Sequence, residues 1–442
     1  MKKLLIAGAG IIVTFSILVI ILRSRNAAAP EEKNNSAAQA PVSEDPFEWL
    51  AAGGPVDEAV QEEYWAWQSE VARAPSARWW AQRRSWQAWA MGQTAAPPAR
   101  LIELLRELEG QGKKLRILLA HKSLRIGTGG WARRDKEAGK SLTQVRGPNL
   151  HVSRWGAYYF GYSAMLSPDP GPDLTNLDRL FQAHLAARVS FDVEAARSVH
   201  NIRDEIYFQL ALQNRLPANA QASWLREQHP YFKWAADYVH GELLFYSYLR
   251  HRLMHRFDQT ETDARAEALS PRLLFDWFFG PPDVTPHIDY LNRMEGWIQN
   301  RTGSIPLPKR TAGSSAAWRR RIPMPDSRRV LSESLNTATR HRLTTLAVKA
   351  IAMARRMRRL PAGEPEFTTW LNEPQALAPG GDRLKLRYEK LSESSFRLTV
   401  DPDTPLPLYY TVRRYRSLLN RPASKPFWQS NDDWNLELEV PP

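Results

Sequence analysis

The chain of 442 residues holds no cysteine, is 43% hydrophobic and 10% aromatic, and carries a formal net charge of +13. That composition excludes a disordered chain, and the missing cysteine removes disulfides, thiolate metal sites and cysteine nucleophiles together. With an anchor and linker set aside, about 400 residues remain, enough for one large or two ordinary domains.

The first element is an uncharged run of nineteen residues, Leu4 to Leu22, whose only polar side chains are Thr14 and Ser16. At about 1.5 Å per residue a helix of this length covers roughly 28 Å, close to the ~30 Å of bilayer hydrocarbon. Residues 4–22 are therefore predicted to form a single transmembrane helix behind a cytoplasmic flank, 1–3. Ala27-Ala28-Ala29 offers a cleavage site, but Arg23 and Arg25 part it from the apolar core and Pro30 follows the cut, so the run is expected to be retained. The tiny basic N-terminus favours export of the long C-terminal body. The expected location is the bacterial inner membrane, single-pass, with a periplasmic body. Residues 23–45, rich in Ala, Pro, Glu, Asn and Ser, read as a disordered linker.

Residues 46–300 read as a helical domain. Seven of the seventeen tryptophans lie early in it, at Trp49, Trp65, Trp67, Trp79, Trp80, Trp86 and Trp89. Helices are predicted over Val56–Arg73 and Ser76–Met91, with the tryptophans as core anchors. Pro98–Ile126 reads as a helical pair broken at Gly110-Gln111-Gly112. Gly127–Gly130 reads as a surface loop, since a phosphate loop needs a preceding strand and a Lys-Ser/Thr register that this stretch lacks. Three- and four-residue apolar spacing predicts helices over His151–Leu166, Leu174–Phe191, Val193–Leu216, Ala220–Gln228, Pro230–Phe257, Leu273–Phe279 and Pro286–Asn300. The fold class is mainly α, a large antiparallel helical array.

One constellation there has metal-binding chemistry. Asp237, His240, Ser247, His251, His255 and Asp258 fall within a band of about 80° on one helix. Imidazole and carboxylate bind zinc or iron, and His251 with His255 is an i, i+4 pair. The familiar signature of that spacing needs Glu after its first histidine, where Arg252 stands. A polar stripe is the favoured reading, and no cofactor and no catalytic residue is expected. Glu205 and Glu242 are the carboxylates most embedded in apolar sequence, and ion pairing is favoured for them over acid and base catalysis.

From Arg301 to Leu360 fifteen Lys or Arg face two acids, Asp326 and Glu333, a local excess equal to the whole chain's +13. Residues 301–329 read as a basic, proline-rich loop and 330–360 as a basic amphipathic helix. Arg319, Arg320, Arg321, Arg328, Arg329, Arg355, Arg356, Arg358 and Arg359 are the candidates for binding an anionic lipid or an acidic envelope partner. Nucleic acid is disfavoured by the predicted side of the membrane. Residues 361–442 form a small β-containing region. Leu384 to Tyr388 and Phe396 to Val400 alternate as a hairpin, with weaker strand candidates at Leu408–Arg413 and Trp434–Val440.

A helix ending Arg358-Arg359-Leu360-Pro361-Ala362, then Phe367–Leu371, then a strand reading Leu386-Arg387-Tyr388, resembles the end of a group of uncharacterised, single-span, mostly helical exported bacterial proteins. The order of helix, proline and small sheet is also similar to that of pseudopilins, although only Met1, Lys2 and Lys3 precede the apolar run, where pseudopilins carry a processing site. The resemblance implies an envelope location and a helix-plus-sheet end, and it transfers no catalytic residue. The expected role is structural or interactive, through the basic docking segment. The alternative is a membrane-anchored hydrolase or metal-dependent enzyme using the His/Asp band of the 230–257 helix.

Overall fold

The computed structural model describes residues 45–52, 56–73, 89, 96–140, 145–185, 188–227, 231–258, 285–300, 327–371, 386–400 and 435–439. The predicted transmembrane run and linker, most of Ser76–Met91, Leu273–Phe279, the loop up to residue 326 and Leu408–Arg413 lie outside them. The chain divides into two compact units, Met1–Ser43 with Tyr246–Pro286 and Arg310–Pro323, and Glu44–Phe245 with His287–Lys309 and Met324–Pro442. Almost everything described belongs to the second unit, which is mainly α with one small sheet. No helix of the described residues is long and apolar enough to cross a membrane.

The helices start where the sequence supplies caps. α1 (Pro46–Ala51) has Asp45 accepting from the Phe47 N–H at 2.9 Å and proline in its first turn. α2 (Glu58–Arg73) follows Asp57, whose Oδ1 accepts from Ala59 and Val60. α3 (Ala99–Glu107) and α4 (Glu109–Ala120) meet at Leu108, not at the expected Gly110–Gly112. The glycines continue the helix, and at Gly112 a Cβ would run into the Tyr159 ring, so this glycine serves close packing and not a break. A short 3-10 turn at Thr128–Gly130 leads into α5 (Ala132–Glu137). α6 (Leu150–Leu166) is capped by Asn149, which accepts from His151 and Val152.

The next boundary also departs from expectation. α7 (Gly171–His184) ends before Phe191, and Ser190 to Asp192 open α8 (Ser190–Leu212) instead. Asp192 is the reason: it is buried, and it accepts the Thr128 N–H at 3.0 Å and the Thr128 hydroxyl at 2.6 Å. That contact ties the first turn of α8 to the distant 3-10 turn. α8 stops at Leu212 because Asn214 turns left-handed, φ 56°, and the Arg215 N–H reaches back to the Leu210 carbonyl at 2.8 Å.

α9 (Ala218–Arg226), α10 (Tyr231–Asp258) and α11 (Thr285–Asn300) follow, then α12 (Ser327–Met357) and α13 (Glu364–Leu371). β1 (Leu386–Lys390), β2 (Ser395–Val400) and β3 (Asn435–Glu439) form an antiparallel sheet in the order β1-β2-β3, with Tyr388 opposite Leu398 and Leu398 opposite Leu436. The hairpin and the Trp434–Val440 strand are thus observed. Tyr388 fixes the sheet to the helices: its ring stacks on Phe367 of α13 at 4.6 Å and its hydroxyl donates to the Pro361 carbonyl at 3.0 Å.

The core centres on α8, which packs against α6, α7 and α12. Val199, Ile202, Ile206 and Leu210 are buried as their spacing implies, and the helices packed on α8 bury Trp155 and Phe160 of α6, Leu177 and Phe181 of α7 and Leu346 of α12. Each such side chain contributes about 1.5–3 kcal/mol on full burial. Among the tryptophans of the early cluster, Trp67 is buried, Trp49, Trp65 and Trp89 are half-buried, and Trp79, Trp80 and Trp86 lie outside the described residues.

Gly161 lets α6 and α8 approach closely, since a Cβ there would sit 2.7 Å from Ile206 Cγ1. Gly161→Ala should therefore cost about 1–3 kcal/mol by overpacking. In an Ile206→Ala background the obstructing carbons are gone, so the same change should cost clearly less. A double-mutant cycle by urea denaturation checks this, and equal costs in both backgrounds would refute the close-approach account.

Candidate functional site

The densest chemistry among the described residues lies where α8 meets α12. His200 and Asp204, one helical turn apart on α8, face His341 of α12, and all three are at most 4% exposed. His341 Nδ1 lies 3.0 Å from both Asp204 oxygens, and His200 Nδ1 lies 3.5 Å from Oδ2. Trp224 of α9 donates its indole N–H to Asp204 Oδ1 at 2.8 Å. On its other side His200 Nε2 is 3.6 Å from Glu227 Oε1, just past the end of α9.

A second layer surrounds these groups. Arg203 donates to Asp178 at 2.6 Å and to Glu227 at 2.5 Å, and the Tyr207 hydroxyl donates to Asp178 at 2.7 Å. The guanidinium lies over the rings of Phe181 and Tyr207, 5.1 and 4.9 Å from their centroids. Phe181 and Trp234 stand edge-on to His200, and Trp224 to His341.

The electrostatics follow from that crowding. Burial disfavours the Asp204 charge, yet His200, His341 and the hydrogen bonds from His341 and Trp224 outweigh it and hold the carboxyl well below the usual range. Burial likewise disfavours a charged His341, but Asp204 outweighs it and raises the imidazole. For Arg203 burial opposes the charge while Glu227 and Asp178 more than restore it. One ligand atom from each of His200, Asp204 and His341 lies within 4.8 Å of the others, so the trio has the donor types and closeness of a cation site.

The residues singled out from sequence are placed elsewhere. Asp237 takes an ion pair from Lys233 at 2.6 Å, and His240 Nδ1 meets Glu295 Oε1 at 2.8 Å with its ring 5.2 Å from Trp49. Ser247 is half-buried on α10. His251, His255 and Asp258 lie on α10, their side chains outside the described ones. Arg319, Arg320 and Arg321 lie outside the described residues, and Arg328 and Arg329 open α12 with side chains likewise outside. Arg355, Arg356, Arg358 and Arg359 are exposed; Arg355 donates to the Leu212 carbonyl at 3.0 Å and Arg359 pairs with Glu366. Glu205 and Glu242 are both half-buried.

His200, Asp204 and His341 were not singled out from the sequence. One signal was there: an i, i+4 His and Asp pair beside an arginine, within a helix apolar on most faces. Its partner His341 stands 137 positions from Asp204, and no spacing reveals that. Comparison of the chain with protein-family models, with curated proteins and with solved structures gives no match.

Glu242 supplies a test of burial. Burial pushes its carboxyl up from 4.5 to about 7. The folded chain thus keeps a proton that the unfolded chain releases, so this group's contribution to stability is lost as pH rises from 4.5 through about 7. Glu242→Gln, which stays neutral, should be more stable than the parent near pH ~8 and indistinguishable near pH ~4. Thermal melts across pH check it; parallel pH profiles would show that the carboxyl is not desolvated.

Proposed function

We propose that the chain is a membrane-tethered cell-envelope protein with an interaction role, whose basic segment docks on anionic lipid headgroups. The observation that carries the reading is the end of α12, where Arg355, Arg356, Arg358 and Arg359 are all exposed within five residues. Met357 among them is 46% exposed, and an apolar side chain flanked by cations suits a headgroup interface. Glu333, one of the two acids in the basic stretch, is paired with Arg197 of α8.

Location rests on Leu4–Leu22, long and apolar enough to span, and on the resemblance of the C-terminal third to single-span exported proteins. A linker of residues 23–45 has a root-mean-square reach of roughly 25 Å, which allows the body to touch the bilayer that holds it. Anionic lipid attracts each cation near the surface by about 1 kcal/mol, and the +13 segment offers many.

The chain lacking residues 1–45 should co-sediment with phosphatidylglycerol vesicles, not with phosphatidylcholine vesicles, and should be released by salt. Replacing Arg355, Arg356 and Arg358, together with Arg319, Arg320, Arg321, Arg328 and Arg329, by Ser should weaken binding at least about tenfold without changing the circular dichroism. No binding at low salt, or binding untouched by those substitutions, rejects the docking role. A reporter fused after Pro442 that works only in the cytoplasm rejects the location.

A further inference from the structure

We infer that His200, Asp204 and His341 form a structural site for a divalent transition-metal ion of the zinc class, which clamps α8 to α12. Ligands held about 2.0–2.1 Å from one zinc ion at angles between 90° and 109° are about 2.9–3.4 Å apart. The nitrogen-to-oxygen separations to Asp204 Oδ2 are 3.0 Å from His341 and 3.5 Å from His200, so those two pairs need little movement to share an ion. All three ligand atoms already lie within 4.8 Å of one another.

The surroundings have the form that supports such a site. A metal-bound imidazole commonly gives its other N–H to a carboxylate, which sets its tautomer and orientation. His200 is placed for that arrangement, with Nδ1 facing Asp204 and Nε2 3.6 Å from Glu227, a few tenths of an ångström beyond a hydrogen bond. The Trp224 N–H engages Asp204 Oδ1 at 2.8 Å, while Oδ2 faces both imidazoles. Charge points the same way. Arg203 is already shared by Glu227 and the outer Asp178, so Asp204 is answered only by the two imidazoles and the Trp224 N–H, a place a divalent cation would fill. The rings of Phe181, Trp224 and Trp234 close the site, as a structural ion requires and a catalytic one does not.

The site is distinct from the histidine band of α10, and the test separates them. Full-length protein, extracted in detergent and stripped with a chelator, is titrated with Zn2+ or Co2+ alone. The expected results are about one Zn2+ per chain surviving gel filtration, a higher Tm with Zn2+, and a visible d–d band with Co2+ at the same stoichiometry. His200→Gln and His341→Gln should each abolish the band, while His251→Ala with His255→Ala should leave it intact. Because the Co2+ band and the Tm rise are read on the unaltered protein, an unfolded variant does not decide the question. Absence of both, as for a metal-free core in which the two imidazoles carry the compensating protons, overturns the site. Loss of binding in the His251 and His255 variant instead also overturns it.

Discussion

A carboxylate with no access to water has to be answered by its neighbours, and Asp204 sets that requirement for the helical body. An uncompensated buried charge costs several kcal/mol, a large fraction of the stability of any domain. The answering groups come from three elements: His200 from α8 itself, His341 from α12 and Trp224 from α9. No two of these helices can slide by a turn without leaving Asp204 short of a partner. The apolar faces of α8, α6 and α7 would tolerate several registers; the charge selects one.

The same logic extends outward. Glu227 stands between His200 and Arg203, and Arg203 between Glu227 and Asp178, so each charge is shared by two partners and the polarity decays toward the half-exposed Asp178. Aromatic rings fill the gaps, their faces accepting the guanidinium and their edges packing on the imidazoles, while Tyr207 and Trp224 also supply a hydrogen-bond donor to Asp178 and Asp204. Trp224 and Trp234 pack on this cluster, and Trp131 and Trp155 on the aromatic residues of α2 and α6. Trp131, Trp155, Trp224 and Trp234 are among the largest fully buried side chains, and the indole N–H of Trp224 is a donor the carboxylate needs.

What periodicity could show, it showed. The 3.6-residue spacing of Val199, Ile202, Ile206 and Leu210 placed α8's buried face, and the alternation around Tyr388 and Leu398 placed the hairpin. Boundaries failed where a glycine or a buried acid had a tertiary reason for its place. Gly112 reads as a break yet sits in a helix because Tyr159 needs the space, and Asp192 begins α8 because Thr128, 64 positions away, donates to it. The cluster failed for a related cause. A histidine stripe on one helix is visible in sequence, whereas a triad split over α8 and α12 exists only after folding. Asp237 and His240, the visible half of the stripe, turned out to have partners of their own in Lys233 and Glu295.

The separation of roles has a consequence for how such a body could act in the proposed setting. Its strongest titratable cluster is sealed inside, so whatever it does to a partner it does with its surface. On that surface the arginines at and just past the end of α12 are held in part by their own contacts, Arg355 on Leu212 and Arg359 on Glu366, which limits the affinity any one of them adds. A tether changes the requirement. Confinement near the bilayer gives an effective concentration of order millimolar, and an interaction with a Kd of about 1 mM, worth only about 4 kcal/mol, is then substantially occupied. For a chain tethered as proposed, weak, salt-sensitive contacts that would be negligible for a free protein are sufficient, and the exposed arginines would need only to orient the body.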